Sequence, residues 1–461
     1  MSEVQEQLRI SEFLSWTNGS QILCGLAGTG KSKLLLDKAI RLQAQSHSEY
    51  RDYPIAITYY TRTLTQYFRD MVKVHHANQQ SAKPIGANAE RVIYAQAWGG
   101  RVSGPQGIYY HICRHYPTIT AQKFNEDHAG LGLRQFDIAC EALRREIETT
   151  GPKVLYEAIL VDEAQDLPES FLRVCLAVLP PENRRLILAY DEFQRLRPDI
   201  SGNSYESLVN LFAEYGHLPH TTRLSISRRC PPETLAVAHG IALGIYEDRS
   251  ENRPRLSLNS FKDWGYQIAN RDNISTSFER NPVENRSTKS QDVVLFEQII
   301  NASPYHNIAR SIVEMLNPPH SVPLDKIMII LFTEYDDKGL PVTLSKMQAA
   351  LNALRIQNHF VSDGIDADIY FRPHSVAISG VYRTKGLEAD LVYVLYYPPH
   401  RQTNKSWRLI NRNNLYSTMT RGKKWTRVLS TKSDTFVADI RRAFDTIRDA
   451  GFRLNVQNSE L

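Results

Sequence analysis

The strongest constraint on the fold is an alternation along the chain. Short apolar, β-branched runs occupy residues 21–24, 55–60, 158–161, 186–190, 326–332, 376–379 and 391–396, each bounded by turn-forming or charged residues. Between them lie stretches of helical period, at 31–42, 136–147, 235–245, 308–316 and 343–354. Runs this short and this uniformly apolar suit strands buried on both faces, and strands alternating with helices suit βαβ units. The expected class is therefore α/β, built on parallel sheets. A chain of 461 residues has room for two to four domains. No repeat of fixed period is present. Two regions break the alternation. Residues 74–150 hold one weak strand and then polar and helical sequence, which reads as a short helical insertion. Residues 247–292 are polar and poorly periodic, which reads as a long loop or linker. The halves are then 1–222 and 223–461.

Composition narrows the class further. Charged residues at 23% and aromatics at 10% fit a folded protein and exclude global disorder. No apolar run approaches the roughly 18–20 residues of a membrane span, and residues 1–13 lack a signal-peptide core. Five widely spaced cysteines (Cys24, Cys113, Cys140, Cys175, Cys230) form no CxxC pair, which fits reduced thiols and a cytoplasmic location without a membrane. The net charge of +5 hides a segregation. Residues 401–432 carry nine Lys and Arg and no acid, leaving 46 basic against 50 acidic residues elsewhere. Such a block suits a nucleic-acid rim, an acidic protein partner or a solvated face.

The first apolar run leads into Gly25, Leu26, Ala27, Gly28, Thr29, Gly30, Lys31 and Ser32, and a helical stretch follows at once. This is the GxxxxGK[ST] spacing in the strand–loop–helix context it requires. Glycines let backbone N–H groups curl round phosphates, and the helix N-terminus adds its dipole. Lys31 is placed to reach β- and γ-phosphates, and the Ser32 hydroxyl to bind Mg²⁺. A phosphate site also needs a carboxylate at the tip of a neighbouring strand. The run 158–161 ends in Asp162 and Glu163, which divide that work: Asp162 as metal ligand, Glu163 as general base on the attacking water. ATP and Mg²⁺ are the expected cofactors.

With these motifs in hand, the chain resembles the superfamily 1 helicases, most closely the UvrD/Rep group, over roughly residues 5–430. The run ending Tyr190, Asp191, Glu192, Phe193 and Gln194 is similar to the family's third motif, whose Gln senses the γ-phosphate. Residues 224–231, with Arg228 and Arg229, resemble the fourth. Tyr382, Lys385 and Glu388 fall in a likeness of the fifth, and Arg421 in that of the sixth. The resemblance implies two RecA-like P-loop domains, with Arg229 and Arg421 as cis arginine fingers and Glu388 and Arg228 at the nucleotide. It further implies an ATP-dependent translocase or helicase on single-stranded nucleic acid, DNA rather than RNA, with 3′→5′ polarity. Thr58, Tyr59, Tyr60, Thr61 and Arg62 resemble the Ia segment, and Tyr94, Gln96 and Trp98 the Ib segment. Stacking on such aromatics tolerates any base. Thr58, Tyr59, Tyr60, Trp98 and Tyr382 are thus the candidate strand contacts, and Gln5 or Gln7 the candidate adenine reader.

The sequence also departs from the family pattern. Arg228 stands where a Tyr usually stacks on adenine, Arg195, Leu196 and Arg197 replace aromatics after Gln194, and Tyr382 replaces a His. Residues 233–305 are too few for the large insertion of strongly unwinding relatives. A minimal motor follows, and with it an alternative: a regulatory ATPase controlling a partner nuclease, as in bacterial antiphage complexes. Two further clusters read as structural. His111, Cys113 and His115 suit strand packing rather than zinc, and 334–338 suits an acidic turn.

Overall fold

A computed structural model of the chain describes residues 3–45, 52–61, 64, 68, 71, 91–99, 107–116, 118, 133–195, 204–247, 256–280, 291–300, 302–332, 343–361, 370–397, 407–431 and 434–461. The acidic turn at 334–338, Arg62, Leu196 and Arg197 lie outside these residues, as do Arg401, Lys405 and Lys432 of the basic block. The chain divides into two compact units: Ser2–Leu26 with Gly30–Leu224, and Ala27–Thr29 with Ser225–Leu461.

The first unit contains α1 (Glu3–Ser15), β1 (Gln21–Gly25), α2 (Lys31–Gln45), β2 (Ile55–Tyr59), β3 (Val92–Gln96), α3 (Ile108–Cys113) and α4 (Leu133–Thr150). It continues through β4 (Ala158–Val161), α5 (Glu169–Ala177), β5 (Leu186–Tyr190), α6 (Tyr205–Glu214) and β6 (His220–Leu224). Its six strands form one sheet in the order β3-β2-β4-β5-β1-β6, with every pairing parallel. The apolar runs are continuous because both faces are covered. Ile22, Ile159, Val161 and Leu188 enter one core, while Leu23, Leu160, Ile187 and Ala189 enter the core on the other face. The weak strand expected in an insertion is β3, an edge strand of this sheet. The group His111, Cys113 and His115 lies on and just after α3, not on a strand. His111 Nδ1 is 2.6 Å from the Tyr156 hydroxyl, so the imidazole serves packing.

The second unit holds α7 (Pro232–Leu243), α8 (Leu258–Asp263), β7 (Tyr266–Arg271), β8 (Ser275–Arg280), β9 (Val294–Gln298), α9 (Pro304–Leu316), β10 (Ile327–Leu331) and α10 (Thr343–Ala353). After these come β11 (Asn358–Phe360), β12 (Val376–Gly380), β13 (Ala389–Tyr396), α11 (Trp407–Met419), β14 (Gly422–Ser430), α12 (Thr435–Asp449) and β15 (Leu454–Gln457). A second parallel sheet runs β11-β12-β10-β13-β14-β9, and a small antiparallel sheet runs β15-β8-β7. The protein is thus α/β, with two six-stranded parallel sheets. Among the described residues no helix is long and apolar enough to cross a membrane.

One expectation is corrected here. Residues 247–292 are not simply a linker, because α8, β7 and β8 lie within them. Their polarity reflects one-sided burial: along β8, Thr276, Phe278 and Arg280 face inward while their neighbours are less covered. Phe278 stacks on Phe261 at 3.9 Å, and Asp272 Oδ1 caps the hairpin by accepting from the N–H groups of Ile274 and Ser275, each at 2.7 Å. In the basic block, four of the six described Lys and Arg residues pair with acids of their own unit. Lys424 pairs with Asp390 at 2.9 Å, Lys423 with Asp390 at 3.6 Å, and Arg408 with Asp439 at 2.9 Å. Arg412 is fully buried and grips Glu247 with two nitrogens, Nε at 2.7 Å from Oε1 and Nη2 against Oε2. Gly244 permits this, with φ +64° and no Cβ; a Cβ there would lie 2.7 Å from Arg412 Cζ.

Breaking a buried pair leaves an uncompensated charge, which costs about 3–5 kcal/mol. Arg412→Ala is therefore expected to destabilise the second unit by that amount in urea denaturation, while Lys424→Ala, at a surface pair, changes stability by under about 1 kcal/mol.

Candidate phosphate site of the first unit

The site grows from sheet polarity. Parallel strands end on one edge, so the residues following β1, β4 and β5 converge there. The carboxylate strand is not the immediate neighbour of β1, as the sequence suggested. β5 lies between β1 and β4 and contributes Asp191 from its own tip.

The loop from Gly25 to Ser32 turns through left-handed glycines, Gly28 at φ +78° and Gly30 at φ +91°, a region costly for side-chain-bearing residues. Lys31 opens α2 and is buried; its Nζ donates to the carbonyls of Gly25 (2.7 Å) and Leu26 (3.0 Å) and pairs with Asp191 Oδ2 at 3.4 Å. The Ser32 hydroxyl donates to Asp162 Oδ2 at 2.6 Å. Asp162 is fully buried, its N–H bonded to the Thr58 carbonyl at 2.8 Å. Burial and the neighbouring Glu163 push its carboxyl up to about 6, opposed by Ser32 and Lys31. A hydroxyl and a carboxylate side by side are hard oxygen donors, the set that suits Mg²⁺ sharing its remaining ligands with phosphate and water. Among the described residues no three His, Cys, Asp or Glu side chains gather into a metal cage.

Glu163 departs from ordinary backbone geometry, at φ 53° and ψ 46°, where it begins the short turn Ala164–Asp166. A non-glycine residue in this region costs on the order of 1 kcal/mol and clusters at functional sites. Gln165 donates from Nε2 to Glu163 Oε2, and its Oε1 accepts from the Asp191 N–H at 3.1 Å. Gln194 Nε2 donates to Asp191 Oδ2 at 2.6 Å, and Asp191 Oδ1 caps the turn Glu192–Gln194 through Phe193 N–H at 3.1 Å. Lys31, Ser32, Asp162, Glu163 and Gln194 are thus brought together, with Gly25, Leu26 and Gly30 in the same unit. Sequence reasoning missed Asp191 and Gln165 as members of this network. The available signal was an acid closing a buried apolar strand, the same signal that identified Asp162.

Arg228, Arg229, Glu388, Arg421 and Tyr382 lie in the second unit, which includes Ala27, Gly28 and Thr29. Arg229 Nη1 is 3.8 Å from Glu388 Oε2, and Lys423 Nζ is 3.5 Å from Glu388 Oε1. Arg421 is buried, donating from Nε to the Ser417 carbonyl at 2.8 Å. Arg229, Arg421 and Glu388 share the neighbourhood of the Cys230 thiol, which burial pushes up and the arginines oppose. Arg228 is exposed. Gln5 and Gln7 are both exposed on α1.

The candidate strand contacts separate. Thr58 and Tyr59 are fully buried, and Tyr59 stacks on Phe68 at 5.4 Å, so neither presents a face to a base. That expectation is corrected: the aromatic ending a central strand fills the core. Tyr60 is partly buried against the core, and Trp98, also partly buried, stacks on Phe136 at 5.0 Å. Tyr382 is 46% exposed. No protein-family model matches the chain, and no curated protein matches its sequence.

The raised Asp162 carboxyl has a stability consequence. Between about pH 4 and pH 6 the folded chain holds a proton that the unfolded chain has lost, so stability falls as pH rises through that window. Asp162→Asn removes the charge and is expected to raise the melting midpoint at pH 7.5 by about 3–8 °C, the gap narrowing at pH 5. Differential scanning fluorimetry at the two values checks this.

Proposed function

We propose that the chain is an ATP- and Mg²⁺-dependent motor of the superfamily 1 helicase type, with RecA-like domains, translocating on single-stranded DNA with 3′→5′ polarity. The observation carrying the hydrolytic part is the Ser32–Asp162 bond beside Glu163 and Lys31, two separate sequence signals converging at one sheet edge. In this reading Lys31 binds the β- and γ-phosphates, while Ser32 and Asp162 hold Mg²⁺, which when bound offsets phosphate charge. Glu163, oriented by Gln165, positions the attacking water and takes its proton. Gln194 senses the γ-phosphate, and Arg229 and Arg421 neutralise charge developing on it. Glu388 and Arg228 are assigned to the nucleotide. Tyr382, well exposed, is the base-stacking residue of choice.

A second reading is a regulatory ATPase acting on a partner such as a nuclease. It is favoured by the internal pairing of the basic block and by the burial of Tyr59, which leave fewer groups for a strand.

ATPase assays of the purified chain with and without single-stranded DNA or RNA separate the two. Stimulation of about tenfold or more supports the motor, and no stimulation by either polymer excludes it. Glu163→Gln is expected to lower turnover by about 10²–10⁴-fold with ATP binding intact. Tyr382→Ala is expected to weaken stimulation while basal turnover stays near wild type.

A further inference from the structure

We infer that Asp191 is a positioning residue that reports phosphate binding at Lys31 to Gln194 and Glu163. The inference rests on the nucleotide reading above and concerns how that site is regulated. A lysine ammonium has three donors, and here all three are used: the carbonyls of Gly25 and Leu26 and the carboxylate of Asp191. A phosphate oxygen that engages Lys31 must displace one of them. The carbonyls belong to the loop itself and lie at 2.7 and 3.0 Å, whereas Asp191 is the longest contact at 3.4 Å and the only one whose charge repels phosphate. Asp191 is therefore the partner that yields.

The yielding has a defined consequence, because Lys31 and Gln194 bond the same oxygen, Asp191 Oδ2. A buried carboxylate that loses its cation depends more heavily on its remaining donors. Those are the Gln194 amide at 2.6 Å and the Phe193 N–H at 3.1 Å, both in the turn Glu192–Gln194. From the same residue, the backbone N–H reaches Gln165 Oε1, and Gln165 holds Glu163. Phosphate at Lys31 thus tightens the turn that carries Gln194, and the strand tip that moves with it is tied to Glu163. The same carboxylate makes nucleotide binding weaker than the loop alone would allow.

Asp191→Asn tests this. The asparagine retains an oxygen for the Phe193 N–H and so keeps the cap, but its amide nitrogen meets two other donors, Lys31 and Gln194. Calorimetric titration with Mg-ATP and steady-state kinetics on the full chain should show binding about tenfold tighter together with a kcat about tenfold lower or more. A merely structural loss would not produce tighter binding with slower turnover. Gln194→Ala reads the relay from its other end: Lys31 becomes the sole side-chain partner of Oδ2, so ATP binding weakens a few-fold and kcat falls. Unchanged or weaker ATP binding by a folded Asp191→Asn overturns the relay. Should that variant not fold, unchanged ATP affinity of Gln194→Ala overturns it equally. A wild-type chain that binds no ATP overturns the nucleotide reading along with it, whereas wild-type binding with unaltered variants sinks the relay alone.

Discussion

The candidate site depends on the polarity of one sheet. Because all six strands of the first unit run the same way, every strand ends at the same edge. Polar groups that could not survive between buried apolar runs are thereby collected where the runs stop. Gly25 ends β1, Asp162 follows β4 and Asp191 follows β5. Three segments, the second and third of them more than a hundred residues beyond the first, converge on one lysine and one hydroxyl. The helices that cover the two faces of the sheet exclude water from the strands, and so make this edge the place for charge.

Charge brought into such a site has to be answered by charge or hydrogen bonds. Lys31 is buried and has three acceptors; Asp162 is buried and has Ser32, at the cost of a raised carboxyl. The second unit solves the same problem with Arg412 and Glu247, a bidentate pair whose purpose is architectural. The contrast lies in the neighbours. Around Arg412 the packing is closed and requires Gly244 to lack a side chain. Around Lys31 lie left-handed glycines, a strained Glu163 and a carboxylate it shares with a glutamine, all features of a site that exchanges partners.

The hydrolytic and nucleic-acid parts of the functional reading therefore stand on different ground. Hydrolysis draws on residues that meet one another with the chemistry the reaction requires. Strand binding draws on Tyr382 and on whatever charge the basic segment has left after Asp390, Asp439 and Glu247 have taken their share. A compact ATPase whose output goes to a protein partner remains physically coherent on that evidence.

Much was legible in the sequence because the relevant signals are local. Continuous apolar runs located β1, β2, β4, β5, β10, β12 and β13, since a strand buried on both faces must be apolar throughout. The glycine loop with Lys31 and Ser32, and the acids after β4, were legible because each is contiguous. Elements with one covered face were not. β8 and β15 alternate over too few residues, and β14 was masked by Lys423, Lys424 and Arg427, though its Trp425, Val428 and Leu429 are buried. Strand order, which placed β5 between β1 and β4 and so brought Asp191 to Lys31, exists only in three dimensions. So does packing, which took Tyr59 into the core and paired Arg408, Arg412, Lys423 and Lys424 with acids of their own unit. Sequence determines which groups a segment carries; only packing decides which of those charges and rings are already spent on one another.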